Sequence, residues 1–360
     1  MTKPRFNALL YCAVLFFIRI GGTEACVVPV FRYALERWVA DEYPTIVYYE
    51  DTLSKKDSLK IAALARKCAK TASAEFSSPG HAETSANTIL YTVDVNDTDA
   101  HPWFMKLHDR SLPRSYPWAK LIFPPSTRIR EVLWEGPLYS LPFDQACQSL
   151  IRQEVGRRIC DGQTAVWILL EGEDKKENAR TRAFVTNELR ELEKTITLRK
   201  IPEEQLPLWY KASNGPPLRV EFSMVSLSRT DPAESLFVKL LLHSQPGADT
   251  LTRPIVFPVF GRGRVLTALW GDLLTHDNFV RAGRFLTGPC SCVIKADNPG
   301  VDLLMKMAWD QNIRSIMRDE APPGLTGIAP LIEQYLKKRQ DDSTHSTKEH
   351  KPSREKKFDR

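Results

Sequence analysis

The residues of this chain best equipped for chemistry are its cysteines, and the most distinctive are Cys290 and Cys292 in Gly288-Pro289-Cys290-Ser291-Cys292. Two thiols separated by one residue can close a small, strained disulfide, and strained disulfides are the oxidising, labile ones. The same pair can grip a soft cation such as Cu(I) or Zn, but two ligands do not complete a metal site. His243 and His276 are the imidazoles available to extend it. A third reading is structural, with one of the pair joined to Cys26 or Cys160. Gly288 and Pro289 end the preceding helical pattern and place both thiols in a loop. Cys26, Cys160, Cys290 and Cys292 all lie outside the interiors of the predicted elements, where paired, metal-bound or reactive thiols are found. Cys68 and Cys147 fall on the apolar faces of predicted helices and read as buried, inert thiols.

The redox setting of these thiols follows from the N-terminus. Lys3 and Arg5 precede an apolar run from Ala8 to Ile18, and Gly21-Gly22-Thr23-Glu24-Ala25 leads into Cys26. A basic start, a short apolar stretch and a small residue at the cleavage point form an export signal over residues 1–25. The run is too short for a membrane span, and Arg19 bounds it. Cleavage after Ala25 would make Cys26 the first residue. Thr23 and Glu24 depart from the large aliphatic and small residues that bacterial lipid attachment there would need. The expected location is periplasmic or extracellular, where disulfides persist. Removing Cys12 with the signal leaves six cysteines, a number that permits complete pairing. No other segment is long and apolar enough for a stable membrane span.

Charge narrows the partners. The chain carries a formal net charge of +6, but the excess sits at its ends. The signal contributes +2, and the tail from Lys337 to Arg360 contributes +4 from nine basic and five acidic residues. The body is neutral, which argues against a nucleic-acid partner. The tail is polar and poor in apolar residues, so it reads as disordered.

The elements that must position these residues occur twice. Tyr116 to Leu150 and Arg253 to Leu286 share one pattern: a proline, an extended strand, a turn, a second strand and an amphipathic helix. Pro117 and Pro254 open the copies. From Trp134 and Trp270 onward the spacing is identical, matching Phe143 with Phe279, Ala146 with Ala282 and Leu150 with Leu286. Pro124-Pro125-Ser126 supplies one turn, and Gly261 with Gly263 the other. Before the first copy, residues 31–40 read as a helix, 45–49 as a strand, 57–72 as an amphipathic helix, 89–95 as a strand and 102–109 as a short helix. Before the second, Ala165 to Leu170 is an apolar strand of buried, parallel type. Residues 177–196 follow as a helix, 218–227 as a strand, and 232–243 as a helix capped by Asp231. Each half runs β-α-β-α-β-β-α, with parallel crossovers followed by an antiparallel hairpin.

With this element order the chain resembles the thioredoxin superfamily over roughly residues 27–295, and is similar to the tandem thioredoxin modules of protein disulfide isomerases. The segments ACVVPVFRYALERW and FPVFGRGR are also similar to uncharacterised exported bacterial thioredoxin-like proteins. The resemblance implies a proline before the third strand, in the cis form and facing the active site; the matching dipeptides are Tyr116-Pro117 and Arg253-Pro254. The interval from Pro254 to Gly271 fits the family's spacing to a glycine that ends the hairpin. The family's redox members carry CxxC at the start of the helix after the first central strand, where the helix N-terminus lowers a thiol's pKa. The corresponding loops here, Glu50 to Lys56 and Glu171 to Lys176, contain no cysteine.

The expected fold is therefore α/β, two tandem thioredoxin-like domains each built as a central mixed sheet flanked by helices. The expected boundaries are a signal at 1–25, domains at 26–162 and 163–295, a helical extension at 296–336 and a charged tail at 337–360. The expected function is binding of a protein or peptide partner in a scaffold or chaperone-like role, without a cofactor, on the surface around Tyr116, Pro117, Arg253 and Pro254. This rests on analogy of fold. The alternatives are a thiol–disulfide oxidoreductase acting through Cys290 and Cys292, and a copper or zinc carrier. Asn96-Asp97-Thr98 matches a glycosylation sequon. Gly261-Arg262-Gly263-Arg264 is a turn with two cations that leads into a strand and not a helix, which argues against a phosphate loop.

Overall fold

A computed structural model describes residues 26–72, 85–97, 101–108, 115–207, 210–211, 215–290 and 295–313. The signal, the tail, Cys292 and Thr98 of the sequon lie outside these residues. The described chain is α/β, with two mixed sheets flanked by helices, plus a two-stranded ladder.

The first sheet has the order β3-β4-β2-β5-β6, built from β2 (Tyr43–Tyr49), β3 (Cys68–Thr71), β4 (Ala86–Asp94), β5 (Trp118–Ile122) and β6 (Val132–Pro137). β2 and β4 are parallel, and β5 joins β2 antiparallel. The second sheet has the order β13-β10-β9-β7-β8, with β11 also on β9. Its strands are β7 (Ala165–Leu170), β8 (Phe222–Leu227), β9 (Ile255–Phe260), β10 (Arg264–Val265), β11 (Leu269–Trp270) and β13 (Val301–Asp302). Here too a parallel pair, β7 and β8, is followed by an antiparallel neighbour, β9.

Period-two alternation assigns the strand faces. Val47 of β2 and Val166, Ile168 and Leu170 of β7 share one apolar core with helices α2 (Lys55–Ala65), α4 (Phe143–Cys147), α5 (Leu150–Cys160) and α7 (Ser235–His243). Ile46 and Tyr48 point the other way, into a smaller aromatic cluster under α3 (Pro102–Leu107). Ala165, Trp167 and Leu169 of β7 face a third cluster under α6 (Lys175–Thr195) and α8 (His276–Thr287). The two sheets therefore share their larger core and keep separate outer layers.

Five expectations are corrected. The helix expected over 57–72 ends at Ala65, because Cys68 to Thr71 leaves it to pair with β4 at the sheet edge; Cys68 is buried on a strand. The closing helix of the first half breaks at Gln148 and restarts behind the N-cap Ser149, so Leu150 is 81% exposed while its counterpart Leu286 is buried. Cys160 is consequently the last residue of α5 rather than a loop thiol. The described part of the expected helical extension supplies β13 and the short α9 (Trp309–Asn312). The N-terminal segment, β1 (Cys26–Pro29) and α1 (Val30–Arg37), packs on the second sheet's outer layer through Val28, Phe31, Ala34 and Trp38. An apolar face follows the surface that covers it, and Phe260, Phe279 and Leu286 lie there.

A buried charge cluster fastens the strand after the second domain to the first domain. Lys295 Nζ donates to Asp41 Oδ1 at 2.7 Å and to Asp302, and Arg264 Nη1 donates to Asp302 Oδ1 at 2.9 Å. The backbone N–H of Asp41 donates to Asp302 Oδ2 at 2.7 Å, and Tyr43 Oη to the Asp302 carbonyl at 2.7 Å. Burial pushes the Asp302 carboxyl upward, but Lys295 and Arg264 outweigh it and hold the group below its ordinary range.

Candidate functional site

The matched prolines stand at the starts of β5 and β9, beside the ends of β2 and β7. Trp118 is the ladder partner of Tyr48, and Ile255 that of Leu170. Each proline thus borders the loop that leads into the next helix, α2 or α6. The Tyr116-Pro117 bond is cis, as expected; among the described residues no other bond is, so the expected cis bond at Arg253-Pro254 is corrected to trans.

The helix N-termini at these corners are closed by their own side chains. Ser54 Oγ accepts from the Asp57 N–H at 3.1 Å, and its hydroxyl holds the Asp57 carboxyl below the ordinary range. Tyr139 Oη donates to Asp57 Oδ1 at 2.8 Å. On α6, Asp174 Oδ1 accepts from the N–H groups of Lys176 and Glu177 at 2.7 and 3.3 Å. The Ser54 hydroxyl and the Asp174 carboxylate take up helix N-terminal N–H groups at the two corners, and neither loop contains a cysteine.

Beyond the helix caps the corners diverge. In the second, Glu173 N–H donates to the Thr252 carbonyl at 2.9 Å, and Gly172 lies so close that a Cβ there would meet Thr252 O at 2.5 Å. Asn178 clamps Gly172 from both sides, accepting from its N–H at 2.8 Å and donating to its carbonyl at 2.9 Å. Pro254 is buried, and Arg253 is exposed and 3.7 Å from Glu177. The chain occupies its own strand start, so a partner strand would have to displace Glu173.

In the first corner Ser115 is exposed, while Tyr116, Pro117 and Trp118 are half-buried. Tyr116 Oη is 2.8 Å from His108 Nε2. The His108 ring stacks on Tyr48 with centroids 4.7 Å apart and an interplanar angle of 27°. Tyr48 Oη donates to the Phe104 carbonyl at 2.9 Å, fixing the ring below. Trp103, Met105 and Leu107 of α3 extend this ledge as partly buried apolar groups. Tyr48 and His108 are themselves buried, so the surface offered here is the half-buried Tyr116, Pro117 and Trp118 with the partly buried Trp103, Met105 and Leu107, an apolar strip of the kind that suits an extended peptide. The sequence missed His108 and Tyr48. The alternation of Thr45-Ile46-Val47-Tyr48-Tyr49 does put Tyr48 opposite Val47, but nothing local signals that His108 lands on it.

The described cysteines do not gather at either corner. Cys68, Cys147 and Cys160 are free thiols; burial pushes Cys68 and Cys160 up to about 12 and Cys147 further still. Cys290 ends β12 (Pro289–Cys290), which pairs with β1. His276 Nδ1 is 2.8 Å from Glu188 Oε2, and His243 ends α7. Among the described residues no group of three potential metal ligands converges, and no helix is long and apolar enough to cross a membrane. No family model matches the chain, and no curated protein matches its sequence.

Proposed function

We propose that this is an exported tandem thioredoxin-like protein that binds an extended segment of a partner polypeptide at the Tyr116 corner of its first domain, without thiol chemistry. The family reading is supported by the order of both sheets: parallel strands (three in the first sheet, two in the second), then an antiparallel strand and its antiparallel hairpin partner, then a closing helix. The binding reading is carried by the contrast between the two corners. The half-buried Tyr116–Trp118 strand start lies beside the His108 and Tyr48 rings, whereas the matching start at Arg253 is sealed by Glu173 and Gly172. Binding is therefore one-sided, with the second domain acting as support. Anisotropy titrations with a panel of fluorescent unstructured peptides test this. Replacing Tyr116 by Ala is expected to weaken the tightest binder by about tenfold or more. Arg253→Ala, at the sealed corner, is expected to leave its affinity unchanged. Equal losses in both variants, or none in either, would remove the proposal.

A further inference from the structure

We infer that Lys120 is a positioning residue for the strip at the Tyr116 corner, acting by holding the end of α3 against the sheet; the inference rests on the peptide-binding reading. α3 has six residues, too few for a helix to persist on its own hydrogen bonds. Where it lies is therefore set by what it touches. Ladder partners place Tyr91 of β4, Ile46 of β2, Lys120 of β5 and Glu135 of β6 in one row across the first sheet. α3 crosses that row. Phe104 packs on Tyr91 with ring centroids 4.5 Å apart, and at the other end Lys120 Nζ donates to the Leu107 carbonyl at 2.6 Å.

The last carbonyl groups of a helix have no partner inside it. In α3, Tyr48 Oη donates to that of Phe104 at 2.9 Å, the His108 N–H to that of Met105 at 3.2 Å, and Lys120 to that of Leu107. The peptide dipoles also favour a cation at this end. Lys120 is only 4% exposed, and a lysine is seldom buried without a partner. Its partner is Glu135, directly opposite on β6, at 2.9 Å. Ion pairs taken out of water add little net stability, since desolvation offsets the attraction. The consequence here is geometric. Lys120 fixes the Leu107 backbone, and with it Trp103, Met105 and Leu107, which pack on the same cluster as Tyr116 and Trp118. It also fixes the next residue, His108, on Tyr48 and 2.8 Å from Tyr116. Without the ammonium, the Leu107 carbonyl loses its donor and the end of α3 is released from the sheet.

The test reads the helix end and the binding separately, on the full chain. Stacking on Tyr48 displaces the His108 ring protons upfield in NMR spectra of histidine-labelled protein, with His108→Gln identifying the signal. Lys120→Met is expected to abolish that displacement and to weaken the tightest peptide of the panel by about tenfold. Lys120→Gln, a milder truncation with the same expectation, keeps the readout if Lys120→Met does not fold. Lys120→Arg, which keeps a cationic donor, is expected to retain both the displacement and the affinity. A His108 signal unmoved by truncation, or one that moves while affinity holds, would overturn the inference. A moved signal in a protein whose wild type binds no peptide of the panel would support the hold of Lys120 on α3 and remove the binding reading instead.

Discussion

Cys68, Cys147 and Cys160 remain neutral thiols across the physiological pH range, because apolar surroundings oppose the thiolate. All three are expected to resist iodoacetamide at pH 8 in the folded protein and to label fully in guanidinium, which peptide mass spectrometry reads directly. The linkage to stability has a definite sign. A folded-state value raised above that of the unfolded chain means the contribution is complete below pH 9 and falls as pH rises towards about 12. Rapid native labelling of Cys160 would show that the end of α5 opens. The burial of Cys147 was legible from Phe143 and Ala146 beside it. The partial burial of Cys160 was not, because it depends on a helix restarting at Ser149. The opposition of Cys26 and Cys290 was beyond any local pattern, since it is set by a ladder between segments far apart in the chain.

The repeated strand–turn–strand–helix unit was legible at the level of elements, because alternation and turn chemistry are local properties. Both copies form their two strands and begin their closing helix as expected, with Phe143 and Phe279 buried alike, although the first copy's helix breaks at Gln148. The edge strand at Cys68 was not legible, since Asp57 to Ala72 carries a helical pattern that the open edge of β4 overrides after Ala65. Nor could spacing distinguish the two proline corners. Their difference lies in Gly172, which lets the loop after β7 approach the Thr252 backbone closely. Gly172→Ala places a methyl against carbonyl and peptide atoms that cannot yield as a flexible side chain would. It should destabilise the protein by about 2 kcal/mol or more in chemical denaturation. A neutral Gly172→Ala would mean that the loop is free to lift, and the argument that the second corner is sealed would fail with it.

The two halves do not behave as beads on a string. One apolar core draws on both sheets, the N-terminal segment lies on the second, and Asp302 joins Lys295, Arg264 and Asp41 across the boundary. Asp302→Asn removes the charge that balances Lys295 and Arg264 and should cost about 3–5 kcal/mol. Calorimetry is expected to show one cooperative transition in both proteins, shifted down in the variant; separate melting of the halves would contradict the shared core. Sequence boundaries at 26 and 163 missed this coupling, because domain limits were placed by repeat spacing while the core is decided by which faces meet. The proposed function puts the partner at the Tyr116 corner. The most direct test carries a photo-crosslinking residue at position 116 in one protein and at position 253 in another. Each is irradiated with the tightest peptide of the panel, and the adducts are mapped. The account predicts adducts from position 116 alone, with undiminished peptide binding in Cys290→Ser. Adducts chiefly from position 253, or reduction of insulin disulfides that disappears in Cys290→Ser, would contradict it.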